Sequence, residues 1–106
     1  LKSAIEYIDT HYMNESLSLN TAAQVANISA NHFSALFSQN MGQTFIEYLT
    51  ALRMEHAREL LRCTGKRSSE IAAEVGYKDA HYFSYLFKKT QGMTPSEYRK
   101  TREDRG

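Results

Sequence analysis

A chain of 106 residues, 42% of them hydrophobic, is about one domain long and can support a core, a thin one if two subdomains share it. No run of 18 apolar residues exists, which excludes a membrane-spanning helix, and no signal-peptide pattern opens the chain. One cysteine, Cys63, excludes an internal disulfide and suits a reducing cytosol, while a net charge of +1 is low for a nucleic-acid partner.

Apolar residues recur at spacings of three and four throughout, so the expected class is all-α. A first helix is expected over about 2–13, with Ala4, Ile5, Ile8 and Tyr12 on one face. A short second helix covers about 19–27. Ser29 reads as the N-cap of a third, about 30–40, and Gly42 suits the position after its end, where positive φ is wanted. Thr44-Phe45-Ile46-Glu47 has the form of a capping box and opens a long fourth helix to about Cys63, rich in good helix formers and ended by Gly65. A fifth runs about 68–75 and is followed by Gly76. Asp79 caps a sixth, about 80–90, closed by Gly92. Thr94-Pro95-Ser96-Glu97 is a second capping box with Pro at the first helical position. The seventh helix starts there and runs to about Arg102, before a charged tail that is expected to fray.

One segment occurs twice. Residues 30–48, ANHFSALFSQNMGQTFIEY, and 80–98, AHYFSYLFKKTQGMTPSEY, are identical at nine of nineteen positions at an offset of 50. The shorter helices match at an offset of 49, pairing Ala23 with Ala72, Ala26 with Val75 and Ile28 with Tyr77. Each unit is then a short helix, a tight turn and a second helix with an apolar inner face, the helix-turn-helix layout. The expected organisation is a first unit over 1–43, a linker helix over 44–63 and a second unit over 64–106. A duplicated unit suits a partner that also repeats, and the DNA duplex is the commonest such partner.

On the two longer repeat helices Phe33, Leu36 and Phe37, and likewise Phe83, Leu86 and Phe87, fall on the face expected to be buried. The opposite stripe holds Asn31, Ser34, Ala35 and Ser38 in one unit, and His81, Ser84, Tyr85 and Lys88 in the other. Small and hydrogen-bonding residues on the second helix of a helix-turn-helix match what a major groove accepts. A solvated face is the plain alternative for one such helix; two copies with matching caps favour the groove. The long helix, about 20 residues, spans roughly 30 Å, near the spacing of roughly 34 Å between successive major grooves.

The ordered string Phe33-Ser34-Ala35-Leu36-Phe37, Tyr48-Leu49-Thr50-Ala51-Leu52-Arg53, Ala57-Arg58-Glu59-Leu60-Leu61, Ile71-Ala72-Ala73-Glu74-Val75-Gly76-Tyr77, Tyr82-Phe83-Ser84-Tyr85-Leu86-Phe87-Lys88-Lys89 and Gly92-Met93-Thr94-Pro95-Ser96-Glu97-Tyr98-Arg99 resembles the AraC/XylS family of bacterial transcription regulators over nearly the whole chain. The resemblance implies seven helices, two helix-turn-helix units joined by a long helix, and sequence-specific binding to promoter DNA. Carried over by position, it implies base contacts at Asn31, Ser34, Ala35, His81, Tyr82, Ser84 and Tyr85. It implies phosphate contacts at Ser38, Thr44, Lys88, Lys89 and Thr94, the two threonines standing at helix N-termini suited to anions. The chain departs from many members in having Ala35 where they carry a long or charged reader, and Ser38-Gln39 where they carry a Lys pair. The spacing through Tyr48-Leu49 and Gly76-Tyr77-Lys78-Asp79 is most similar to members that end a two-component response regulator. The chain starts at Leu1 rather than Met, and an N-terminal effector or receiver domain is expected to precede it.

Other chemistry is not indicated. His11, His32, His56 and His81 lack paired ligand spacing, so no metal is expected, and neither a catalytic triad nor a phosphate-cradling glycine loop is visible. Glu55 and Glu59 interleave with Arg58 and Arg62 on one helix and read as surface pairing rather than acid–base catalysis. No enzyme, cofactor or membrane role is expected. Promoter DNA is the expected partner, with RNA polymerase as a second. The rival reading is a helical protein-interaction module that no longer binds DNA, favoured by the near-neutral charge.

Overall fold

A computed structural model describes the backbone of residues 1–105 and the side chains of residues 1–101. Its seven helices are α1 (Lys2–His11), α2 (Leu19–Ala26), α3 (Ala30–Met41), α4 (Phe45–Cys63), α5 (Ser68–Val75), α6 (Ala80–Gln91) and α7 (Pro95–Arg105). α1 stops two residues short of the expected end. There the Asn14 N–H bonds back to the His11 carbonyl, while the Asn14 side chain accepts from the Ser16 N–H at 3.0 Å and turns the chain. α7 continues past Arg102 to Arg105; the side chains of Arg102 and Arg105 lie outside the described residues. Among the described residues no helix is long and apolar enough to cross a membrane.

The chain packs as two units that divide inside α4, one of Leu1–Leu52 and one from Arg53 on. In the first, Ala4 and Ile8 of α1, Ala22 and Ala23 of α2, Phe33 and Phe37 of α3, and Phe45 and Leu49 of α4 form the buried core. Small residues at 22 and 23 let α2 lie close to its neighbours. The Phe33 and Phe37 rings meet at 5.7 Å and 46°, and Tyr48 closes edge-on against Phe37 at 5.5 Å and 74°. Its phenol donates to Asp9 Oδ1 at 2.6 Å, tying α4 to α1.

The second unit repeats this packing closely. Met54, Ala57 and Leu61 of α4, Ile71, Ala72 and Val75 of α5, and Phe83 and Phe87 of α6 are buried together. Phe83 meets Phe87 at 5.8 Å and 50°, and Tyr98 of α7 stands edge-on to Phe87 at 5.8 Å and 72°. The Tyr98 phenol accepts from Arg62 Nη1 at 3.0 Å. Arg62 and Asp9 are equivalent, because the second half of α4 repeats α1 at an offset of 53: Ala57 stands for Ala4, Glu59 for Glu6, Leu61 for Ile8. The first half of α4 repeats α7 at the offset of 50. One helix thus serves as the last element of one unit and the first of the next.

Several ends are set by contacts beyond those the sequence reading names. α2 is capped by Ser18, whose Oγ accepts from the Thr21 N–H while Thr21 Oγ1 accepts from the Ser18 N–H. It ends on Asn27 in the left-handed region, φ 60°, in the place Gly76 holds at φ 109° after α5. Both ends carry the same paired bonds, Ile28 N–H to the Ala23 carbonyl and Tyr77 N–H to the Ala72 carbonyl. Gly65, expected to end α4, is not in the left-handed region that Gly42, Gly76 and Gly92 adopt. The Thr64 N–H returns to the Leu60 carbonyl, and Arg99 of α7 donates through Nε to the Leu61 carbonyl at 3.1 Å and through Nη2 to the Thr64 carbonyl at 3.2 Å. Arg58 and Arg62 bond to Gln91 and Tyr98 besides the expected surface pairing, in which the charge of Glu59 acts on Arg62. A long guanidinium on a helix flank reaches a neighbouring helix as easily as its own next turn.

Candidate nucleic-acid interface

α3 and α6 are the second helices of the two helix-turn-helix units, and their buried phenylalanines decide which side faces out. Ser29 caps α3 by accepting from the His32 N–H. Asp79 caps α6 by accepting from the N–H groups of His81 at 2.9 Å and Tyr82 at 3.4 Å. With the inner face fixed, Asn31 and Ala35 are exposed while Ser34 and Ser38 are half-buried. On α6, His81, Tyr82, Tyr85, Lys88 and Lys89 are exposed and Ser84 is half-buried. Leu36 and Leu86, expected in the core with the phenylalanines, are only half-buried and form the edge of the stripe.

The two outward faces differ in chemistry. That of α3 is small, polar and uncharged. That of α6 carries two large rings, Tyr82 at 51% and Tyr85 at 60% exposure, with Lys89 Nζ over the Tyr85 ring at 5.9 Å. Behind Tyr82 lies Tyr77, buried in the turn between α5 and α6, with ring centroids 6.0 Å apart. Behind Tyr77 lies Arg53, a residue only 7% exposed, with its guanidinium 4.9 Å from the ring centroid. Sequence reasoning passed over Arg53. Its signal was available: Leu49, Arg53, Ala57 and Leu61 form one i, i+4 stripe on α4, and a charge inside an apolar stripe asks for a partner.

The helix starts named as phosphate contacts are closed capping boxes. Thr44 N–H donates to Glu47 Oε1 at 2.8 Å, and Glu47 N–H donates to Thr44 Oγ1 at 3.1 Å. Thr94 and Glu97 repeat this at 2.9 and 3.1 Å. The remaining first-turn amides are Phe45 and Ile46 in α4 but only Ser96 in α7, since Pro95 has no N–H. The hydrogen bonds from Thr94 hold the Glu97 carboxyl below its ordinary pKa, and the nearby Lys88 ammonium acts in the same direction. The charge of Lys88 is therefore felt at the start of α7, within the same unit.

Charge is divided unevenly. Residues 1–52 contain a single Lys or Arg, Lys2, against Glu6, Asp9, Glu15 and Glu47; the other twelve basic residues lie from Arg53 on, against eight acidic ones. Among the described residues no cluster of His, Cys, Asp and Glu could hold a metal ion. Cys63 is exposed.

A family described as a helix-turn-helix domain matches residues 22–101. The C-terminal domain of AraT, a response regulator from Geobacillus stearothermophilus, superposes with a TM-score of 0.93 at 42% identity, over 95% of this chain and 84% of that one. The C-terminal domain of the two-component response regulator yesN from Fusobacterium nucleatum is similar, with a TM-score of 0.89 at 34% identity over 91% and 93% of the two chains. The melibiose operon regulatory protein of Escherichia coli K12 is 34% identical over 92 residues, which is 87% of this chain and 30% of that protein. The chain spans a quarter to a third of the length of such curated relatives.

Proposed function

The chain belongs to the AraC-type helix-turn-helix DNA-binding domains, a family of transcription regulators, and from that premise we propose that it binds duplex DNA sequence-specifically at promoters. The observation that carries the reading is the pair of capped helices, α3 and α6, each with buried phenylalanines inward and hydrogen-bonding side chains outward. In this reading each helix enters a major groove segment of one operator. Asn31, Ser34 and Ala35 meet base edges in one half-site, and His81, Tyr82, Ser84 and Tyr85 in the other. Ser38, Thr44, Lys88, Lys89 and Thr94 meet phosphates. Asn31 can present an amide to adenine and Ala35 a methyl to thymine, whereas the α6 face offers rings and an imidazole. In the whole protein, the similarity to response-regulator C-terminal domains supports a receiver domain ahead of this segment and control by phosphorylation in the bacterial cytoplasm. RNA polymerase is the second proposed partner.

Selection of bound duplexes from a random pool tests the reading. A bipartite motif should emerge, and affinity for it should fall steeply with salt. No enrichment over scrambled duplex would sink it. One observation favours the rival reading of a protein-interaction module: the first unit has Lys2 as its single Lys or Arg. That reading requires DNA binding to be absent while RNA polymerase is retained.

A further inference from the structure

We propose that Arg53 and Tyr77 are positioning residues for base reading: they hold Tyr82 in place on the outer face of α6 and so set base preference without touching DNA. The proposal rests on α6 being a base reader, as set out above. Tyr82 has half its surface in solvent, and an exposed tyrosine on a helix ordinarily samples more than one rotamer. Here its backbone is fixed by the Asp79 cap, and its ring leans on Tyr77 at 6.0 Å and 59°. Tyr77 is itself held from two sides, by Phe83 at 5.8 Å and 42° and by the Arg53 guanidinium at 4.9 Å over the ring. Both Tyr77 and Arg53 are buried. A methionine or leucine at 53 would fill the same inward place on α4 without desolvating a charge. What the guanidinium adds is a directional attraction to the face of Tyr77, strengthened by burial. The stack runs from α4 through the turn to the reader helix.

The other unit lacks both tyrosines. Ile28 stands where Tyr77 does and His32 where Tyr82 does, although Phe33 and Phe83 match. The device is therefore particular to the second unit, and its failure should appear in one half-site only. That is the signature that separates positioning from general loss of stability, which would weaken both.

The test is binding selection from random duplexes with the wild-type chain and with Tyr82→Ala, Tyr77→Leu, Tyr77→Phe and Arg53→Met, each checked for folding by thermal melting. Tyr82→Ala should lower the preference at one position of the second half-site about tenfold. Tyr77→Leu and Arg53→Met should weaken the preference at that same position severalfold and leave the first half-site as it was. Tyr77→Phe keeps the ring and should keep the preference. Should Tyr77→Leu fail to fold, Arg53→Met and Tyr77→Phe decide. A folded Arg53→Met or Tyr77→Leu with wild-type preference overturns the proposal, as does a loss spread over both half-sites. An unchanged motif in Tyr82→Ala overturns it while leaving DNA binding intact. Failure of the wild type to select any motif sinks the underlying reading as well.

Discussion

Phe37 and Phe87 stand at the centres of their units, fully enclosed and each in contact with a second phenylalanine and a tyrosine. Replacing either with alanine should cost about 3–5 kcal/mol, since a buried ring is lost and the helices around it cannot close the gap completely. Thermal melting checks this, and an unchanged midpoint would mean the faces of α3 or α6 are assigned the wrong way round. Tyr48 gives a residue-level pH signature. Burial first, then its hydrogen bond to Asp9 and the repulsion a phenolate would feel there, push its pKa from 10.0 up to about 12. A folded-state pKa above the unfolded one means that the fold favours the protonated phenol. Its contribution is complete below about pH 10 and is lost as pH rises towards 12. Denaturation midpoints should therefore fall over that window in the wild type and fall less in Tyr48→Phe.

Among the elements, α7 depends on two unlike devices. Its start is a capping box, and Thr94→Ala should cost about 0.5–2 kcal/mol. The Glu97 half of that box has a lowered pKa, so its contribution is present above about pH 4.5 and is lost as pH falls through the folded value. Acid unfolding of Glu97→Gln should accordingly be flatter below pH 4.5. The second device is Arg99, whose fork holds the last carbonyls of α4. Arg99→Ala should cost about 1–3 kcal/mol, and Arg99→Lys should recover little of it, because one ammonium cannot reproduce a two-pronged donor. Amide exchange near Thr64 reports the loss directly; no change there would remove Arg99 as the cap. The contrast between these devices explains what sequence could reveal. Ser29, Asp79, Thr44 and Thr94 act within three residues of their own helix, and each was legible. Arg99 acts across 35 and 38 residues, so Gly65 took the credit for ending α4. Asn27 was missed for another reason: a residue other than glycine enters the left-handed region only when its surroundings require it, and composition does not announce that.

At the scale of the molecule, the proposed DNA binding and the uneven charge together make the second unit the expected electrostatic anchor. Lys88→Ala should reduce the slope of log affinity against log salt by about 1, while Ser38→Ala should leave it unchanged. Equal slopes in wild type and both variants would mean that Lys88 does not touch phosphate. The outer stripes behind this expectation were readable from helical period alone, because phenylalanines at i and i+4 fix one face and so the other. The support beneath Tyr82 was not readable, because Arg53 and Tyr77 come together only through tertiary packing. The repeat of α1 in the second half of α4 also escaped notice, since Ala57 and Glu59 are its few identities while Arg62 replaces Asp9. That shared helix has a consequence for how the chain unfolds. Phe45 and Leu49 belong to one core and Met54, Ala57 and Leu61 to the other, with no loop between them to act as a fuse. Loosening either core removes support from the helix on which its neighbour is built, so damage should travel along the backbone. Phe37→Ala and Phe87→Ala should each lower a single melting transition rather than split it. Ala51→Gly, at an exposed site beside the divide, weakens α4 by about 1 kcal/mol while sparing both cores. If the helix transmits that damage, adding Ala51→Gly to Phe87→Ala should resolve one transition into two.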